Sequence, residues 1–133
     1  MLFTSEVIAN VYSPHLAVSV IELYGEITAV SEQKLIDAYL KVSEAGSRTI
    51  ILSFKGLEYM NSSGIGLLIM LLVRANRSGQ RLVVTDLNEH YQMIFELTHL
   101  DEAIQIYQSV EEALKDLNPG KKTSQDRRTA PLL

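Results

Sequence analysis

The chain contains 133 residues, of which 47% are hydrophobic and 21% charged, a balance typical of one compact domain with a buried core. Its formal net charge is −4, yet the part up to Asn118 carries 15 acidic and 8 basic residues. Nucleic-acid binding needs a clustered basic surface, so this acidic body excludes nucleic acid as the main ligand. The end of the chain, 118–133, is basic and contains two prolines and a glycine, which predicts a solvated, disordered tail.

No segment predicts a membrane span or a secretory signal. The longest apolar run, 65–73, is much shorter than the roughly 20 residues that cross a bilayer. The first residues lack a basic start followed by an apolar stretch, and there is no cysteine to form disulfides in an oxidising compartment. We therefore expect a cytoplasmic protein without membrane insertion.

The first third of the chain predicts two strands and a helix. Apolar residues within 7–11 indicate a short first strand, and a run rich in valine and isoleucine over 16–24 indicates a second, buried one. An apolar stripe at helical spacing then extends to Val42. Either Thr28 or Ser31 can cap this helix.

The middle of the chain predicts a buried strand followed by a very apolar helix. The short apolar run 49–54 indicates an interior strand, after which Lys55 and Gly56 open a loop. The next helix covers about Ser62–Arg77 and is apolar nearly all round. This pattern fits either a helix covered on both sides or a partly exposed docking face.

The following segment predicts another buried strand over 82–84 and a helix capped by Asn88. The spacing of the apolar residues puts Met93, Ile94 and Leu97 on one face of this helix.

The pattern ends with a strand over 103–107 and a helix to Leu117, which Ser109 and Glu112 begin as a capping box. Strands and helices thus alternate with short connections, which favours an α/β fold with parallel neighbours. We predict one domain over 1–117, with a mixed, mostly parallel sheet of four to five strands and about four helices.

Motifs that would carry catalysis are missing from the sequence. The three histidines have no cysteine or carboxylate at metal-ligand spacing, and neither a phosphate-binding glycine loop nor GxGxxG occurs. A hydrolase elbow needs a glycine two residues before its serine, but Met60 precedes Ser62 and Asn61 precedes Ser63 at that distance. We therefore predict no metal site, no cofactor and no enzymatic activity.

The stretch NSSGIG stands at the start of the apolar helix. Any one of Asn61, Ser62 and Ser63 can cap this helix, a role worth about 1 kcal/mol. Capping does not explain Gly64 and Gly66, because a glycine inside a helix costs roughly 1 kcal/mol relative to alanine. Glycine either permits close approach of the helix to the sheet or keeps the surface clear for another protein, and the residues leave both explanations open.

Three stretches, in this order, resemble the STAS domain and, within it, the bacterial anti-sigma factor antagonists. LYGEIT is similar to the end of the family's early strand, and FKGLEYMNSSGIGLL is similar to its phosphorylation loop and following helix. IFELTHLDEAIQIYQSVEEAL is similar to its closing helix, strand and helix. The resemblance covers about residues 5–117 and implies a single STAS-like α/β domain.

The resemblance also implies a regulatory role. In that family, an anti-sigma factor of the histidine-kinase-like ATPase type is also a serine kinase that phosphorylates the antagonist, and a PP2C-type phosphatase reverses the modification. The unphosphorylated antagonist binds the anti-sigma factor and so releases the sigma factor. By position, Ser62 is the first choice of phosphoacceptor and Ser63 the second. The implied partner-binding surface consists of Thr28, Asn61, Ser62, Ser63, Gly64, Ile65 and Gly66.

Two residues depart from the family pattern. Asn61 and Thr28 stand where the phosphorylated members usually have aspartate, and each keeps an oxygen that can cap a helix while losing a charge. Two other roles for the same fold stay open. One is an interaction or scaffold module that is never phosphorylated, and the other is an accessory subunit of a membrane transporter.

Overall fold

The computed structural model describes residues 6–117, so the predicted tail lies outside the described residues. The elements of this part, in chain order, are β1 (Ile8–His15), β2 (Val18–Ile27), α1 (Glu32–Glu44), β3 (Thr49–Met60), α2 (Ser62–Arg77), β4 (Arg81–Thr85), α3 (Glu89–Leu97), β5 (Gln105–Tyr107) and α4 (Val110–Asp116). Short 3-10 helices, Ala29–Ser31 and Leu100–Glu102, precede α1 and β5.

The five strands form one sheet in the order β1-β2-β3-β4-β5. The pair β1 and β2 is antiparallel, and each of the other neighbouring pairs is parallel. The predicted α/β class, the mostly parallel mixed sheet and the four helices are therefore confirmed for residues 6–117. Because β2 and β3 are parallel, their carboxyl ends lie at the same edge, where Ile27 pairs with Met60.

The two faces of the sheet are covered unequally. One face carries the large core, to which α1, α2 and α3 contribute buried residues such as Leu35, Leu68 and Phe95. The other face carries a smaller cluster around Ile51, which α4 covers through Ala113. Part of this second face, on β1 and β2, has no helix over it within the described chain.

The structure corrects the predicted loop at Lys55 and Gly56, which lie inside β3. This strand continues to Met60 because its second half pairs with β2, after a register shift, and Tyr24 is the partner of Gly56. The Tyr24 ring packs across Gly56, where a Cβ atom would collide with it. The apolar run 49–54 therefore predicted only the first half of the strand. In the second half, the aromatic side chain of Tyr24 on the neighbouring strand covers Gly56.

The buried face of α3 differs from the apolar face seen in the sequence. Tyr91 and Phe95 are the buried residues of this helix, whereas Met93 and Leu97 are exposed and Ile94 is half-buried. Both sets have helical spacing, so periodicity alone did not distinguish them. Both aromatic side chains belong to the large core cluster, and the Tyr91 hydroxyl bonds Met60 at the end of β3.

Candidate functional site

The end of β2 and the start of α2 meet at the carboxyl edge of the sheet. The Asn61 amide donates to the Ile27 carbonyl at 3.3 Å, which joins the two chain segments just beyond their strands. Thr28 follows Ile27 and is the N-cap of the 3-10 helix, which contacts α2. The structure thus brings Thr28 close to the NSSGIG stretch, although 32 residues separate Thr28 from Met60 in the sequence.

Asn61 is the residue that caps α2. Its backbone is extended, and its side-chain Oδ1 accepts a hydrogen bond from the Gly64 amide at 3.0 Å. Ser62 and Ser63 are the first two residues of the helix, and both are exposed. In the part of the chain that the structure describes, neither serine hydroxyl makes a hydrogen bond. The two serines are therefore not needed to begin the helix.

Thr28 is held in a tight turn beside this helix start. Its amide donates to Ser31 Oγ at 2.9 Å, and the Ser31 amide donates back to the Thr28 carbonyl at 2.9 Å. Ser31 Oγ also donates to the Glu26 carbonyl at 3.2 Å. These bonds leave Thr28 half-buried and present the neighbouring Val30 side chain to solvent.

The two glycines have different structural roles. Gly64 is buried, and a Cβ atom there would collide with the Ile27 carbonyl oxygen and lie 2.7 Å from Met60 Cγ. Gly64 is therefore required for the close approach of α2 to the end of β2. Gly66 is exposed, and a Cβ atom there would meet nothing within 4 Å. Packing therefore explains why position 64 is a glycine, but it does not explain the glycine at position 66.

Replacing Gly66 with alanine should stabilise the fold. We expect Gly66→Ala to raise the free energy of unfolding by about 0.5–1 kcal/mol, because alanine restricts the unfolded chain and favours the helix. Urea denaturation followed by circular dichroism measures this change. A loss of stability would contradict the open environment of Gly66.

One side of α2 remains uncovered. Ser62, Gly66, Ile69 and Val73 follow one another at helical spacing, and Ile69 and Val73 keep 43% and 41% of their surface exposed. The opposite side is buried, through Leu67, Leu68, Leu71 and Leu72. Of the two predictions for this apolar helix, the structure agrees with the partly exposed one. The exposed serines therefore lie at one end of an apolar stripe.

Tyr91 supports the loop from the core side and was missed by the sequence prediction. Its hydroxyl accepts from the Met60 amide at 2.8 Å and donates to the Met60 carbonyl at 3.4 Å. Met60 directly precedes Asn61, so this buried contact ties α3 to the start of α2. No local pattern around Tyr91 indicates the contact, because its partner lies 31 residues away.

Two further features of residues 6–117 bear on function. No helix in this range is long and apolar enough to cross a membrane. The same range contains no group of three or more histidine, cysteine or acidic residues that could hold a metal ion.

The fold agrees with a known family. The family model of the STAS domain matches residues 9–113, and this chain therefore belongs to the STAS domain family. A relative in Paenibacillus polymyxa, an anti-sigma F factor antagonist, is 27% identical over 107 residues. The match covers 77% of this chain and 89% of that relative. The resemblance seen in the sequence is confirmed.

Solved structures of similar proteins share the fold. An anti-sigma factor antagonist from Mycobacterium paratuberculosis matches with a TM-score of 0.73 and 21% identity, over 84% of this chain and 94% of that one. The phosphorylated form of the Bacillus cell fate determinant SpoIIAA matches with a TM-score of 0.66 and 20% identity, over 84% and 100%. A sulfate transporter family protein from Wolinella succinogenes matches with a TM-score of 0.68 and 18% identity, over 78% and 86%. At these identities the three structures bear on the fold and not on the role.

Proposed function

We propose that this STAS domain is a cytoplasmic, non-enzymatic anti-sigma factor antagonist that is controlled by reversible phosphorylation of Ser62. Its partner is an anti-sigma factor of the histidine-kinase-like ATPase type, which acts as the serine kinase, and a PP2C-type phosphatase removes the phosphate. The observation that carries the proposal is that Asn61, and not Ser62, caps α2. Asn61 caps the helix, so the exposed Ser62 hydroxyl can be modified without loss of the cap.

The site tolerates a phosphate for electrostatic reasons. A phosphoserine adds roughly −1.5 to −2 charges, and the first amides of a helix have no acceptor within the helix. The helix dipole also favours an anion at this end. Phosphorylation therefore leaves the domain folded and changes its surface.

The surface around Ser62 explains how a phosphate would control binding. The exposed residues that follow Ser62 along this side of α2 are Gly66, Ile69 and Val73, none of which carries a charge. A partner that covers this stripe would bury the dianion without a counter-charge from this chain, at a high desolvation cost. The unmodified protein binds, and the phosphorylated protein is excluded without any conformational change.

The relatives support this role, and one site residue departs from their pattern. The Paenibacillus polymyxa relative is described as an anti-sigma F factor antagonist, and SpoIIAA has been solved in a phosphorylated form. The neutral Asn61 side chain places no acid next to the phosphoacceptor. A kinase of this chain must therefore recognise the loop without the usual aspartate.

Kinase assays with mass spectrometry test the modification. Purified anti-sigma ATPases of the histidine-kinase-like type, from the genome that encodes this chain, are incubated with the protein and ATP. We expect phosphate on Ser62, loss of phosphate in Ser62→Ala, and retention in the matched control Ser63→Ala. Phosphate on Ser63 alone would make Ser63 the phosphoacceptor in place of Ser62. Phosphate on neither serine would refute the proposed control by phosphorylation.

A constitutive interaction module is the second candidate, and Asn61 is the observation that favours it. If a kinase requires the aspartate that Asn61 replaces, the same surface binds its partner without regulation. Ser62→Ala and Ser62→Asp would then bind equally well. An accessory role in a transporter would appear as co-purification with a membrane permease; a sulfate transporter family protein from Wolinella succinogenes shares the fold.

A further inference from the structure

The sheet face that α4 covers only in part carries an exposed aromatic surface. Ile8, Tyr12 and Tyr24 keep 57%, 41% and 37% of their surface exposed. They share this face because Ile8 pairs with Tyr24, and Tyr12 pairs with Val20, on the antiparallel strands β1 and β2. Val20 itself is buried in the cluster under α4. The exposed surface therefore begins where the cover of α4 ends.

Two carboxylates border these side chains. The Tyr24 hydroxyl donates to Glu22 Oε1 at 3.2 Å. The hydroxyl of Ser53, the strand partner of Glu22, donates to Asp86 Oδ2 at 3.3 Å, and the Thr85 hydroxyl donates to the same oxygen at 2.6 Å. Burial raises the pKa of the Tyr12 phenol, and Glu22, Tyr24 and Asp86 raise it further, in that order. The charged groups that act on Tyr12 are thus acidic. We call the surface of Ile8, Tyr12, Glu22, Tyr24 and Asp86 the open patch.

The described chain ends on this same face. Leu117, the last described residue, packs against the cluster that contains Val18 and Val20. The segment 118–133 is therefore attached on the same face of the sheet as Tyr12, whose strand partner is Val20. Its 16 residues can span about 50 Å when extended, so its length does not prevent it from reaching any part of the open patch.

The composition of this segment complements the open patch. Its four basic residues outnumber its single acid, and its last three residues are a proline and two leucines. Arginine can bind a carboxylate or lie over a tyrosine ring, and the leucines can contact an exposed isoleucine. Because the segment is tethered, weak contacts act at an effective concentration in the millimolar range.

We propose that the basic segment 118–133 binds the open patch of its own chain. Lys121, Lys122, Arg127 and Arg128 supply the positive charge that meets Glu22 and Asp86 and the tyrosine faces between them. This contact lies on the sheet face opposite α2, and it is independent of the phosphorylation of Ser62.

A spin label on the segment tests the contact in the full chain. The chain has no cysteine, so Thr129→Cys creates a single site for a nitroxide. We expect the label to remove the backbone amide NMR signals of Tyr12 and Tyr24 and to spare those of α1 and α2. Changing all four basic residues of the segment to glutamine should restore the signals, without touching the folded sheet.

A second pair of variants tests the patch itself. Glu22→Gln with Asp86→Asn removes both charges, keeps acceptors for the bonded hydroxyls, and suits the backbone at Asp86, whose φ of 65° asparagine tolerates. We expect this double variant, and about 0.5 M salt, to restore the signals by removing or screening the attraction. The matched control Glu96→Gln removes an exposed acid from α3 and should change nothing.

Three results would overturn the proposal. One is equal signal loss on all surfaces, which is the behaviour of a solvated tail. Another is signal loss that persists in the glutamine variants. The third is signal loss when the label is carried only by isotope-unlabelled molecules in a mixed sample, because the segment would then bind a second copy.

Discussion

Ser62→Asp is expected to weaken binding to the anti-sigma ATPase about 100-fold, whereas Ser62→Ala binds within about three-fold of the unmodified protein. Ser62 is exposed at the first position of α2, and the stripe that follows it is apolar. A carboxylate buried there by a partner would have no cation from this chain, and an uncompensated charge in an interface costs several kcal/mol. Isothermal titration calorimetry with the purified ATPase measures both constants.

Asn76→Asp is the matched control for this effect. It adds the same charge to the exposed side of the same helix, about 21 Å further along. We expect it to leave binding nearly unchanged if the partner covers the start of α2. An equal loss in both variants would indicate a response to net charge, and equal binding by Ser62→Asp and Ser62→Ala would favour the constitutive module.

The aspartate variant should remain folded, which separates a binding defect from a folding defect. An acidic side chain in the first turn interacts favourably with the helix dipole, by about 0.3–1 kcal/mol at most exposed sites. Asn61 keeps its bond to the Gly64 amide in this variant. Circular dichroism should therefore give a urea midpoint at or above that of the unmodified protein.

Gly64→Ala is expected to lower the free energy of unfolding by about 2–4 kcal/mol, the largest stability effect we predict. The added methyl group would meet the Ile27 carbonyl oxygen, which belongs to the sheet backbone and cannot rotate away. Moving α2 outward to relieve the collision would also stretch the hydrogen bond from the Asn61 amide to the Ile27 carbonyl. Urea denaturation followed by circular dichroism measures the loss.

Gly66→Ala serves as the control on the same helix, because it makes the same chemical change two residues further on. The two substitutions should change stability in opposite directions, since only Gly64 touches the sheet. A Gly64→Ala protein as stable as the unmodified one would refute the close approach. A Gly66→Ala protein that is more stable yet binds the ATPase less tightly would assign Gly66 to the partner surface.

Local signals in the sequence were sufficient for the class of fold and for several boundaries. The helix predicted over Ser62–Arg77 has those bounds in the structure. Asn88 and Ser109 cap their helices as predicted. In each case a side-chain oxygen accepts a hydrogen bond from a backbone amide at 3.0 Å. Such features depend on residues within one turn of each other, so the sequence by itself determines them.

Tertiary structure decided the features that depend on distant residues. Tyr24 extends β3 through Gly56, and the end of β2 demands a glycine at position 64 but not at 66. The hydrogen bond from the Asn61 amide to the Ile27 carbonyl anchors the start of α2 at the end of β2, and Ser62 beyond it is exposed. The sequence alone therefore determined that two serines stand at a helix start. Contacts with β2 and α3, far away along the chain, decided which neighbours hold that start in place and which side of α2 stays open.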